Sequence, residues 1–171
     1  MATFILTVLG DDRPGLVSAL SAPVRANGAS WERSELSRLA GKFAGIAVVS
    51  VPDDAAAALA ADLEALAGQG LQVLLERSDE QIERDVVRFT LDLLGADRPG
   101  IVAEISATIA AHGVNIEELS TDVRDAPMSG GSLFEARALL SAPSSASTEE
   151  LRAMLEGLAD ELMVEISLSD E

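Results

Sequence analysis

Apolar and polar positions follow the same order twice along the chain. In each copy, an apolar run that predicts a strand precedes apolar residues at helical spacing, and two further runs predict a pair of strands. An Ala- and Leu-rich helix and a last alternating strand complete each copy. The predicted elements before that last strand are 3–9, 14–27, 29–39, 43–51 and 53–67 in the first copy, and 86–94, 99–112, 114–124, 133–142 and 148–159 in the second.

The repeat is clearest in the corner between the first strand and the first helix. The segment Gly-X-Asp-Arg-Pro-Gly starts at Gly10 and again at Gly95, an offset of 85 residues. The difference between this offset and a later one of 91 predicts a six-residue insertion around Pro127–Ser132. The chain is therefore predicted to be a duplication. The offset of 91 is taken from the pairs Phe43 and Phe134, Pro52 and Pro143, Leu71 and Leu162, and Val73 and Val164.

The order of elements predicts an α+β fold made of two tandem units. A β-α-β-β-α-β segment of this length most readily forms a four-stranded antiparallel sheet with both helices on one face, the ferredoxin-like arrangement. The polar and charged stretch between the copies predicts a junction at 79–85. The predicted domains are then 1–78 and 86–171.

Charge and composition restrict the chemistry of such a chain. Its 171 residues include 12 Lys and Arg against 29 Asp and Glu, a net charge of −17, so we expect no direct contact with nucleic acid or with an anionic membrane. It contains no cysteine and one histidine, which argues against thiol nucleophiles and transition-metal sites. Because dinucleotide and phosphate-loop fingerprints are missing too, we expect no cofactor, no metal and no catalysis. The first apolar run lacks a basic flank, and we expect a soluble, cytoplasmic protein.

The repeated Gly-X-Asp-Arg-Pro-Gly loop allows two interpretations. In the first, Pro14 and Pro99 take the first helical position and the preceding acids only complement the helix dipole. In the second, the glycine that ends the loop lets a small ligand reach the free N–H groups of the first helical turn, which favour a carboxylate. Asp12 or Asp97 would then face an ammonium group. The loop arginines could hold a carboxylate or pair with nearby acids, and the sequence leaves both choices open.

These residues resemble a known family. A strand ending in G-x-D-R-P-G, then an apolar helix, a glycine and V-N-I, is similar to the ACT domain. The resemblance covers two tandem units, and it implies a β-α-β-β-α-β fold that pairs with another such domain and binds amino acids at the interface. In the first unit Ser30 stands where the second has its asparagine. The ligand-binding residues that the resemblance implies are Asp97, Arg98, Pro99, Gly100, Ile101, Asn115 and Ile116 in the second unit, and Asp12, Arg13, Gly15 and Leu16 in the first.

A pair of ACT units alone resembles the family of glycine cleavage system transcriptional repressors. That resemblance implies a non-catalytic regulator that senses a small amino acid, with glycine or serine expected, and acts through a protein partner such as a transcription activator. It also implies a homodimer. Two alternatives remain at this point: a detached regulatory subunit of an amino-acid-biosynthetic enzyme, or a plain dimerisation module.

Two other residues stand out in the sequence. His112 is predicted to end a helix, where its ring meets the negative end of the dipole. Trp31 is predicted to pack in the core or at a sheet interface.

Overall fold

A computed structural model describes residues 1–78, 85–125 and 131–170 of the chain. The chain divides into two compact units, Met1–Ile82 and Glu83–Glu171. Each unit contains one four-stranded sheet, in the strand orders given below. Most of the predicted junction at 79–85 and most of the predicted insertion at 127–132 lie outside the described residues.

The first unit is an antiparallel sheet of order β2-β3-β1-β4. Alternate residues of β1 are buried, among them Leu6 and Val8, and they pack against the apolar stripe of the first helix, which includes Leu20. The elements are β1 (Ala2–Asp11), α1 (Leu16–Ala26), β2 (Ser30–Leu39), β3 (Lys42–Val51), α2 (Ala56–Glu64), a short 3₁₀ helix (Ala65–Gln69) and β4 (Leu71–Arg77).

The second unit repeats this arrangement as a sheet of order β6-β7-β5-β8. Its core joins Leu91 and Leu140 of the sheet to Ile105 and Leu158 of the helices. The elements are β5 (Val86–Ala96), α3 (Ile101–Ala111), β6 (Asn115–Asp125), β7 (Ser132–Pro143), α4 (Thr148–Leu162) and β8 (Glu165–Asp170). The predicted pair of ferredoxin-like units is confirmed.

The structure corrects the predicted position of the helix starts. Gly15 and Gly100 are the N-cap residues of α1 and α3, and both have a left-handed backbone with φ of 90°. Pro14 and Pro99 therefore precede the N-cap instead of occupying the first helical position. The left-handed turn explains the shift, because it is the glycine that redirects the chain into the helix.

The offset of the repeat is also wrong in the last strand. Leu71 pairs with Gly10, whereas a Cβ on the matching Gly95 would lie 2.3 Å from Cγ1 of Val164. Val164, at an offset of 93, is thus the counterpart of Leu71. Leu162 belongs to α4, which continues until Met163 closes it with a left-handed backbone.

Candidate functional site

The two repeated loops lie between the central first strand of each sheet and the helix that follows it. Both α1 and α3 begin without a side-chain cap, so neither Asp12 nor Asp97 accepts a hydrogen bond from the helix N-terminus. A Cβ on Gly15 would meet no atom within 4 Å, which leaves space above the first turn. Neither acid therefore caps its helix through a hydrogen bond. The N–H groups of the first turn of α1 therefore meet no acceptor among the described residues, whereas the Ile101 N–H at the start of α3 donates to the Arg98 carbonyl at 3.4 Å.

The residues that begin the helices also anchor the loops to the cores. Leu16 and Ile101 are 3% and 4% exposed, and each packs in the core of its own unit. Their side chains therefore face away from the surface on which a ligand would lie. Of their two backbone N–H groups, that of Leu16 is available for binding, while that of Ile101 donates to the Arg98 carbonyl. The neighbouring Pro14 and Pro99 are exposed.

Charged partners surround the loop of the first unit. Asp12 Oδ2 lies 3.6 Å from Arg38 Nη1, and the backbone N–H of Asp12 donates to the Gly41 carbonyl at 2.9 Å. Arg13 Nη2 donates to the Gln69 carbonyl at 2.8 Å, an uncharged acceptor. Each acid of this loop thus has a basic partner, while the charge of Arg13 meets no acid among the described residues.

The preceding residue, Asp11, is paired as well. Lys42 Nζ donates a hydrogen bond to Asp11 Oδ1, and this bond, with the nearby ammonium charge, lowers the pKa of the Asp11 carboxyl. Both side chains are exposed to solvent. The pair joins opposite residues at the end of the paired strands β1 and β3 beside the loop, so Asp11 already has a partner.

The loop of the second unit has a different network. Arg98 donates from Nη1 and Nη2 to the two carboxylate oxygens of Glu104, at 2.8 and 2.5 Å. This bidentate hydrogen bond lowers the pKa of Glu104 and raises the pKa of Arg98. Asp97 has no hydrogen-bonded or charged side-chain partner among the described residues, although its backbone N–H donates to Ser132 at 2.9 Å. Of the two predicted roles for Arg98, the structure shows the ion pair.

Glu104 was not among the predicted site residues. It lies in the first turn of α3, and the offset of 85 places Ala19 at the matching position of α1. Comparing the first turns of the two helices would have revealed the difference. The sequence motif stops at Gly100, four residues earlier, and does not include this position.

The structure does not bring Asn115 to the loop of its own unit. Asn115 is opposite Ser141 in the β6–β7 pair, and Ser141 in turn is opposite Arg88, near the start of β5. The loop follows the other end of β5, after Ala96. Since a strand advances about 3.3 Å per residue, the two groups are separated by most of the sheet's length. A small ligand at the loop of the second unit would therefore not reach Asn115.

The neighbouring Ile116 faces the interior. It is half-buried, packs against the core of the second unit and pairs with Leu140 before a β-bulge. Trp31 has the same position in the first unit, opposite Val49, and packs against that core. The predicted packing role of Trp31 is confirmed. His112 caps the C-terminus of α3, and its Nδ1 lies 2.9 Å from the Thr108 carbonyl oxygen.

Within the described ranges, no group of three or more His, Cys, Asp or Glu side chains has the geometry of a metal site. A shallow concavity lies on the open face of the second sheet, beside the ion pair of Arg137 with Asp92, and includes no loop residue. No helix in the described part of the chain has the length and apolar character needed to cross a membrane.

The chain is similar in sequence to proteins of two kinds, a phosphatase and a transcriptional repressor. The phosphoserine phosphatase SerB2 of Mycobacterium tuberculosis is 35% identical over 133 residues, covering 74% of this chain but 32% of the phosphatase. The chain therefore spans about a third of the length of that relative. The glycine cleavage system transcriptional repressor of Escherichia coli is 24% identical over 169 residues, covering 96% of this chain and 88% of the repressor.

A solved structure and a family comparison agree on the architecture. The crystal structure of an unknown protein from Galdieria sulphuraria aligns with a TM-score of 0.83 and 29% identity, covering 99% of this chain and 98% of that one. The family model of the ACT domain matches residues 2–76 and 88–169, which together are nearly the whole sequence. The chain belongs to the ACT-domain family and carries two copies of the domain in tandem.

Proposed function

We propose that this protein is a non-catalytic regulator that binds a small amino acid at its Gly-X-Asp-Arg-Pro-Gly loops. The observation that carries the proposal is the uncapped helix N-terminus behind a left-handed glycine, with an acid and an arginine in the same exposed loop. The helix N-terminus favours a carboxylate, and the loop acid favours an ammonium group. An amino acid of small side chain presents both charges a few ångströms apart, and glycine and serine are the first candidates.

The regulatory role draws on the relatives. The Escherichia coli protein that covers 96% of this chain is named a glycine cleavage system transcriptional repressor. With a net charge of −17, this chain would be repelled by DNA, so we assign any control of transcription to contact with a protein partner. A transcription activator is the kind of partner proposed. Retention of a promoter fragment by the purified protein alone at physiological salt would contradict this assignment.

The similarity to the phosphatase does not favour a catalytic function over the proposed regulatory one. The chain spans about a third of that enzyme, and we attribute the likeness to ACT domains in the shared part. The two loops also contain no Ser, Thr, Cys, His or Lys side chain, so they offer no activated nucleophile beside a base. We therefore expect an amino acid to bind and to be released unchanged.

The open face of the first sheet supports a homodimer. On β1 and β3 this face shows only uncharged side chains between Thr3 and Leu9 and between Ala44 and Ser50. Leu9, Ile46 and Leu74 on it are 47–59% exposed. The uncharged part of the face is bordered by Arg33 and Glu35 on β2 and by Glu76 on β4. We propose that two copies of the chain bring the uncharged residues together and leave these charged side chains at the rim.

A thermal-shift panel of the twenty amino acids tests the proposed ligand class. A ligand at a hundred times its Kd adds about 2.7 kcal/mol to the free energy of unfolding, which raises Tm by roughly 5–10 °C for a chain of this size. The double variant Asp12→Ala with Asp97→Ala should lose that shift. Glu156→Ala, an exposed acid on α4, is the matched control and should keep it. A panel without any shift, or an unchanged shift in the double variant, would contradict the proposal.

A further inference from the structure

The two loops have nearly the same backbone but differ at one helical position. Gly15 has φ 90° and ψ 2°, and Gly100 has φ 90° and ψ −6°. In each helix the fourth residue donates its N–H to the carbonyl of that glycine, Ala19 at 2.8 Å and Glu104 at 3.0 Å. The loops are thus built alike up to the first turn, where one has a methyl group and the other a carboxylate.

The carboxylate of Glu104 lies over the start of its helix. Its Oε1 is 3.7 Å from the position that a Cβ on Gly100 would take, whereas the same position above Gly15 has no atom within 4 Å. The carboxylate also accepts both hydrogen bonds from Arg98. A ligand carboxylate approaching the second loop would meet an existing carboxylate, and an arginine that already donates two hydrogen bonds to that carboxylate.

The net charge around each loop also favours binding of a carboxylate at the first loop. The first loop and its ion-pair partners contain three basic residues (Arg13, Arg38 and Lys42) against two acidic ones (Asp11 and Asp12). The second contains Arg98 against Asp97 and Glu104. The local sums are +1 and −1, so an anionic group is attracted to the first loop and repelled from the second.

We propose that Glu104 is a specificity-determining residue that acts as a built-in carboxylate in the second loop, so that a small amino acid binds at the first loop and is excluded from the second. This inference rests on the proposed function for the ligand class. The sequence motif is more complete in the second unit and by itself favours binding there, whereas this inference places binding in the first unit.

Site-resolved NMR tests it with glycine and L-serine as the probes, read at the backbone amides of Gly15 and Gly100. In the wild-type protein we expect saturable shifts at Gly15 alone. In Glu104→Ala, which reproduces the residue of the first helix, Gly100 should also titrate, with affinity raised by about tenfold or more at that loop. Ala19→Glu should weaken binding at Gly15 by a similar factor.

Glu104→Gln keeps the size of the side chain and removes its charge, and it should open the second loop as well. Because Glu104 is a half-exposed surface residue, far-UV circular dichroism and Tm are expected to stay near wild type in these variants. Saturable shifts at Gly100 of the wild-type protein, or no gain in Glu104→Ala and Glu104→Gln while Gly15 still responds, would overturn the inference and leave the proposed function standing. No shift at either glycine in any variant would reject both.

Discussion

Glu104 and Ala19 show how a single residue can separate two loops that share a motif. The six-residue motif and the backbone of its last glycine are alike in both units. Arg98 nevertheless donates to a carboxylate and Arg13 to a backbone carbonyl. The sequence predicted both loops but not this difference, because a guanidinium can reach several acceptors and the choice depends on the turn that follows.

The ion pair makes a prediction for the titration of Glu104. Its pKa is lowered in the folded protein, so the pair is fully formed above the ordinary pKa of a glutamate and is lost as pH falls through the lowered value. Carboxyl-resolved NMR should give Glu104 a midpoint below that of a free glutamate. In Arg98→Ala the midpoint should return to the ordinary range. An ordinary midpoint in the wild-type protein would mean that the pair is not formed in solution.

Gly45 is a position where the fold requires glycine for a close approach. Its φ is 154°, and a Cβ there would lie 2.0 Å from the Glu35 carbonyl oxygen and 2.7 Å from Leu36 Cα. Both are backbone atoms of the paired strand β2, which cannot move without breaking the ladder. Gly45→Ala should therefore lower the free energy of unfolding by at least about 2 kcal/mol. Chemical denaturation measures this, and a loss below 0.5 kcal/mol, roughly the size of a surface change, would contradict it.

The helices differ in how their N-termini are capped. A capped N-terminus has its N–H groups satisfied within the protein, whereas an uncapped one is a candidate for binding a ligand. α4 starts with a capping serine, whose Oγ accepts from the Glu150 N–H at 3.5 Å, and acids occupy its first turn. α1 and α3 start with glycine and lack such a cap. The order of the elements and the capped start of α4 could be predicted, because periodicity and local hydrogen bonding decide them. The end of α4 could not, since the helix continues to Leu162 and stops only where Met163 takes a left-handed backbone, which no glycine marks in the sequence.

A substitution of Gly157 tests whether α4 is an ordinary solvent-facing helix at this residue. A Cβ on this glycine would meet no atom within 4 Å, and its backbone is helical. Gly157→Ala should raise the free energy of unfolding by about 0.5–1 kcal/mol, because alanine loses less backbone entropy. Urea denaturation of this variant is the counterpart to that of Gly45→Ala, with the opposite sign expected. Destabilisation by Gly157→Ala would show that the α4 surface is not free at this point.

At the scale of the whole molecule, the duplicated units differ most on the open faces of their sheets. The first presents Ile46 where the second presents Arg137, and Thr7 where the second presents Asp92. In the second sheet the arginine and the aspartate pair, with Arg137 Nε 2.9 Å from Asp92 Oδ1. The order of elements is the same in both units and does not distinguish them, whereas the residues at these alternating positions do. The difference is chemical and not topological.

Ile46→Arg gives the first sheet the charge that the second already has. If the apolar face joins two copies of the chain, this variant should weaken association by about a hundredfold, because an unpaired charge would be buried. Ser167→Arg, on the open face of the second sheet, is the matched control and should leave association unchanged. Analytical ultracentrifugation distinguishes the two outcomes. A wild-type monomer, or an unaltered dimer in Ile46→Arg, would contradict the homodimer.

Equilibrium dialysis of the wild-type protein against labelled glycine and labelled serine tests the central claim most directly, with the ligand recovered and identified afterwards. The account predicts saturable binding of at least one of them and recovery of the bound amino acid chemically unchanged. An absence of saturable binding of both would contradict the proposed glycine or serine ligand. Recovery of a converted product would contradict the assignment of a non-catalytic regulator.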